Sequence, residues 1–108
     1  MSDEPRRFTI VYAPITRQHL RVIEPKYYAL IRTTIAQQVT FTPLTVTRNR
    51  KPLKRPVLFG ATWELRFGPQ NRFRVYYDVD STQAQVAILA IGLKRGNRVV
   101  IGGEEIDL

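Results

Sequence analysis

Residues 63–79 read WELRFGPQNRFRVYYDV. Trp63, Leu65 and Phe67 alternate with Glu64 and Arg66. After GPQN, Phe73, Val75, Tyr77 and Val79 alternate with Arg72, Arg74, Tyr76 and Asp78. A period of two sends alternate residues to opposite faces of a strand, and Pro69 stands where its ring favours a turn. The stretch predicts a β-hairpin with one apolar face and one open face showing Glu64, Arg66, Arg72, Arg74 and Tyr76. Arginines gathered on one face of a strand pair repel one another unless an anion lies between them. Glu64, standing among them, is expected to be ion-paired.

The rest of the fold is read outward from this hairpin. Upstream, residues 40–61 hold three prolines, no clear period and the cations Arg48, Arg50, Lys51, Lys54 and Arg55. They read as a long basic connection, and a loop of that length in a compact domain is more often functional than idle. In residues 25–39, Tyr27 or Tyr28, Ile31, Ile35 and Val39 form the apolar stripe of an amphipathic helix. Residues 15–25 offer Thr16 as an N-cap, then Leu20 and Ile23 at helical spacing; Pro25 ends that helix and starts the next. Residues 7–14, RFTIVYAP, read as a strand stopped by Pro14.

Downstream, QVAILAIG at 85–92 is apolar on both faces, as a central strand is. Residues 93–108 begin basic and end acidic. A final hairpin turning at Gly102 and Gly103, or a helical turn within KRGNRVV, both fit them. The expected fold class is α+β, one domain over residues 1–108. A helical hairpin packs on a mostly antiparallel sheet of about four strands, in the order β-α-α-β-β-β plus a C-terminal tail.

Composition narrows the function. The 108 residues suffice for one small core. Lys and Arg number 17 against 9 Asp and Glu, a net charge of +8, and 13 of the 17 cations are Arg. Clustered charge of this size points to a polyanionic partner, and Arg grips phosphate and carboxylate with a planar fork. There is no cysteine, which excludes disulfides and thiolate metal sites. The N-terminus lacks the apolar stretch of a signal peptide, and no apolar run of about 18 residues exists. The expectation is a cytoplasmic protein with no membrane partner.

Several chemistries lack their residues. His19 is the only histidine and is expected at the surface. Asp78, Asp80, Glu104, Glu105 and Asp107 have no ligand spacing, so no metal site and no cofactor are expected. Ser2 and Ser81 fall in tail and turn positions, and no glycine-rich phosphate loop is present. The basic face remains, joined by the basic connection and by Lys94, Arg95 and Arg98. Such a surface binds RNA backbone. It also suits metal-independent cleavage, in which the 2′-oxygen attacks the adjacent phosphate, an arginine stabilises the phosphorane and side chains move the protons. Tyr76 and Glu64 are the proton-transfer candidates on that face.

YAPITRQHLRVI, RKPLKRP, WELRFG, NRFRVYYDVD and AILAIGLKRGNRVV, in that order, resemble the RelE/ParE superfamily of toxins from type II toxin–antitoxin pairs, from about Phe8 to Val100. The resemblance implies a small α+β fold, a cognate antitoxin partner, and one of two activities. A RelE-like toxin is an endoribonuclease that cuts messenger RNA on the ribosome and so inhibits translation. A ParE-like toxin binds and inhibits DNA gyrase. It implies roles for three residues: Arg74 as the phosphate-stabilising arginine, Arg66 as a basic position on the preceding strand, and Lys94 as a basic position after the next. The RNA-binding set is then Arg48, Arg50, Lys51, Lys54, Arg55, Arg72, Arg95 and Arg98. Glu64 stands where such nucleases carry a second basic residue, and Val100 where many carry a tyrosine. The acidic tail is expected to lie over the basic face with Glu104, Glu105 and Asp107.

Overall fold

A computed structural model describes residues 6–54 and 60–106. Among them run β1 (Thr9–Tyr12), α1 (Thr16–Leu20), α2 (Tyr28–Val39), β2 (Arg50–Pro52), β3 (Trp63–Phe67), β4 (Phe73–Asp80), β5 (Gln85–Arg95), β6 (Arg98–Ile101) and β7 (Glu104–Ile106). The six strands β2 to β7 are neighbours in sequence order, and β1 joins β5. The sheet thus has seven strands rather than about four. The difference lies outside the opening hairpin. β2 forms inside the basic connection, where Arg50, Lys51 and Pro52 pair with Leu65, Glu64 and Trp63. The tail forms the hairpin β6–β7, with positive φ at Gly102 and Gly103, conformations that glycine adopts without strain.

The expected helical hairpin is reduced to one full helix. α1 is a single turn of five residues. Thr16 does not cap it: Ile15 is the N-cap, and the Thr16 hydroxyl donates to Ala13 O at 2.7 Å. Pro25 opens a 3₁₀ turn that leads into α2, as its fixed φ suits. α2 buries Ile31, Ile35 and Val39, the stripe its spacing predicts. These pack with Leu65, Phe73, Val75, Tyr77, Ile88 and Ile91 in the main core. Trp63 stacks on Tyr77 with ring centroids 6.0 Å apart, and Tyr27 meets Phe73 edge-on at 5.1 Å. The Tyr77 hydroxyl donates to Pro43 O at 2.7 Å and pins the connection to the sheet.

The opposite sheet face is not open. Ala61, Tyr76, Ala90 and Ile101 form a second buried cluster there, with Leu53, Leu89, Val99 and Ile106 against it. β5 organises both faces. Along one edge it pairs antiparallel with β4, with a register shift at Tyr76/Tyr77. Along the other it pairs parallel with β1 from Gln85 to Ile88 and antiparallel with β6 from Gly92 to Arg95. His19 fills the gap between them: its Nδ1 accepts the Ile91 backbone N–H at 3.2 Å. This histidine, expected at the surface, is only 4% exposed, because α1 lies against the central strand.

Candidate nucleic-acid interface

Strand pairing sets the first cluster. Arg66 lies directly opposite Arg74, and Glu64 opposite Tyr76. Two like charges so placed repel, and Glu64 answers them. Its Oε1 accepts from Arg66 Nε at 2.6 Å and lies 3.8 Å from Arg74 Nη1, while its Oε2 accepts from the Tyr76 hydroxyl at 2.9 Å. Arg74 Nε also donates to Asn71 O at 3.2 Å. The side chains of Glu64 and Arg74 are 6% and 7% exposed, that of Arg66 38%.

Burial alone would raise the Glu64 pKa. Hydrogen bonds from Arg66 and Tyr76 and the charges of both arginines outweigh it, and Glu64 is held below the ordinary carboxylate value. Burial lowers the Arg74 pKa, Arg66 adds to that, and Glu64 opposes it. Tyr76 is pushed far above the ordinary phenol value by burial and by the Glu64 charge and hydrogen bond. In this arrangement Glu64 is ionised and bonded at both oxygens, and Tyr76 is a protonated donor. Of the four groups, Arg66 alone offers substantial exposed surface.

A second cluster forms at the hairpin end. The Lys94 backbone N–H donates to Arg72 O at 2.8 Å, one step past the last paired residues of β4 and β5, Phe73 and Leu93. Arg72, Lys94 and Arg95 are exposed and line one cavity of about 230 Å³. Tyr27, Phe73 and Leu93 supply apolar wall. Glu24 is the acid in the lining, and it pairs with Lys26 at 3.4 Å. Three cations over an aromatic wall can hold a phosphate beside a planar base.

The remaining expected residues do not join these clusters as one surface. Arg48, Lys51 and Lys54 are exposed around β2, with Lys51 opposite Glu64. Arg50 is buried; its guanidinium donates to Gln38 O near the end of α2 and to Thr42 Oγ1 at 3.3 Å. It therefore secures the helix terminus instead of facing a ligand. Arg98 pairs with Glu105 at 3.0 Å on the surface. Glu104 is exposed. Arg55 and Asp107 lie outside the described residues. Val100 is buried. Tyr27 was read only as a core residue in the sequence; its place beside the cations comes from the turn at Pro25 and has no local signal.

No family model matches the chain, and no curated protein matches it. Among solved structures, a chain of the toxin–antitoxin complex RelBE2 from Mycobacterium tuberculosis superposes with a TM-score of 0.62. The identity is 24%, over 82% of this chain and 99% of that one. The likeness establishes the fold that the RelE-like motifs imply.

Proposed function

We propose that this chain is the toxin of a toxin–antitoxin pair, with messenger RNA on the ribosome as its target. The observation that carries this reading is the fold shared with a chain of a toxin–antitoxin complex over 82% of the sequence. The cations agree with it. Arg72, Lys94 and Arg95 at the hairpin end hold the RNA backbone, and Arg66 extends the grip along the sheet. For cleavage, the scissile phosphate displaces the Glu64 carboxylate from Arg66 and Arg74, and Arg74 then stabilises the phosphorane. The freed Glu64 becomes available to take the 2′-hydroxyl proton, with Tyr76 as the donor to the leaving oxygen.

Induced expression tests this. The expected outcome is growth arrest with new transcript ends within codons of translated messages, and loss of both with Arg74→Ala. Arrest with intact transcripts overturns the nuclease reading. One observation favours that second outcome: Glu64 already neutralises the arginine pair. The chain then acts by binding, and gyrase inhibition in a supercoiling assay identifies the ParE-like mode.

A further inference from the structure

We propose that Glu64 is a proton-coupled gate on the Arg66–Arg74 pair: a phosphodiester enters the pair only as Glu64 leaves it, and Glu64 then takes up a proton. This rests on the reading that the pair meets RNA phosphate, and adds what controls entry and what entry does to the acid. Residues directly opposite on neighbouring strands share a face. Lys51 of β2, Glu64 of β3 and Tyr76 of β4 therefore form one row, and Arg66 and Arg74 form the next. These four side chains are the charged and titratable groups around Glu64. Ala90 of β5 and Ile101 of β6, which help to bury Tyr76, do not titrate.

The row gives an approach and a barrier. Lys51 is exposed, and among the described residues it belongs to no ion pair. With the half-exposed Arg66 it draws an anion toward the face. Arg74 lies deeper, and Glu64 Oε1 stands within 2.6 Å of Arg66 Nε and 3.8 Å of Arg74 Nη1. That oxygen holds the place an oxyanion bridging the two arginines would take. A phosphodiester has two non-bridging oxygens sharing one charge, one for each guanidinium, and it reaches both only by moving Oε1 aside.

The displaced carboxylate stays beside the ligand, because the Tyr76 hydroxyl holds its Oε2 at 2.9 Å. The arginine hydrogen bonds that kept it ionised now go to phosphate. Burial, the largest influence on Glu64 and one that favours its neutral form, is then joined by the phosphate charge. Two anionic groups in contact and away from water cannot both stay ionised. A proton from solvent joins Oε1, and the new O–H donates to a phosphate oxygen. Charge balances: two arginines face one anion before binding, the carboxylate, and one after it, the phosphodiester. A carboxylate made more basic in this way is also better suited to receive the 2′-hydroxyl proton.

The test titrates the full chain with a short 2′-O-methyl RNA, which presents phosphodiesters and cannot be cut. Calorimetry in buffers of different ionisation heat counts the protons. The expected result at pH 6 is uptake of about half a proton or more per chain, with affinity falling about fivefold or more by pH 8. Glu64→Gln is expected to abolish the uptake and the pH dependence. A second readout needs no variant: in the isotope-labelled chain the Glu64 carboxyl carbon signal moves from its ionised to its protonated position as RNA saturates the protein. No proton uptake, uptake that persists in the folded Glu64→Gln variant, or a carboxyl signal that stays at its ionised position overturns the proposal. None of these readouts needs cleavage. Proton uptake with intact transcripts in growing cells refutes the nuclease reading alone, and new transcript ends without proton uptake refute the gate alone.

Discussion

Glu64 changes what two arginines can do. Without it, Arg66 and Arg74 face each other across β3 and β4 with nothing between them; with it, the three charges and the Tyr76 hydroxyl form a closed set. Glu64→Gln keeps the shape and removes the charge. Breaking a buried ion pair from one side costs about 3–5 kcal/mol. Because Arg66 is 38% exposed, water screens part of the loss, and about 3 kcal/mol is expected at neutral pH. The sign with pH follows from the lowered carboxylate pKa. The folded state holds fewer protons on Glu64 than the unfolded state does. Its stabilisation is therefore present above the unfolded value of about 4.3 and is lost as pH falls through the lower folded value. Urea unfolding is expected to show the gap between wild type and variant at full size above about pH 5 and shrinking below about pH 4. A gap that does not vary with pH would falsify the ionised state of Glu64. The pairing of Glu64 with an arginine was legible from their spacing on one face. Its burial was not, because Tyr76, which donates to it, is buried in a cluster with Ile101, far along the chain.

At the scale of elements, what could be read was what local periodicity encodes. The hairpin β3–β4, the stripe of α2 and the central strand β5 all follow from patterns of two or of three to four residues. The tail hairpin resisted because β6 and β7 are four and three residues long, too short for a period to show. β2 resisted because a three-residue edge strand ending in proline looks like loop. His19 escaped because its partner, the Ile91 N–H, exists only where β1 stops and β6 has not begun. Gly92 marks the same junction. A Cβ there meets Ile101 Cγ1 and Val100 O at 2.8 Å each, and one of these is backbone that cannot rotate away. Gly92→Ala is expected to push β6 from β5 at a cost of about 1–3 kcal/mol. In a domain of this size that lowers the melting temperature by roughly 4–8 °C per kcal/mol. An unchanged melting temperature would mean that β6 is not held against β5 at this point.

Across the whole molecule, the +8 net charge is unevenly available. Arg50 is spent on a helix terminus, Arg66 and Arg74 on Glu64, and Arg98 on Glu105. Among the described residues, the cations at the hairpin end have one acid in their cavity lining, Glu24, and it is paired with Lys26. Composition reported the sum, and only the fold reports this division. It can be checked through salt. Each phosphate neutralised on a single strand contributes about −0.7 to the slope of log affinity against log salt concentration. If Arg72 and Lys94 each hold a phosphate, the Arg72→Ala/Lys94→Ala double variant flattens the slope for single-stranded RNA by about 1.4. The pair Arg48→Ala/Lys51→Ala, exposed cations around the edge strand β2, removes the same formal charge. It is expected to change the slope by less than half as much. Equal flattening by both pairs would mean that RNA responds to net charge alone, and the hairpin-end cavity would then have no claim as the place where the strand is held.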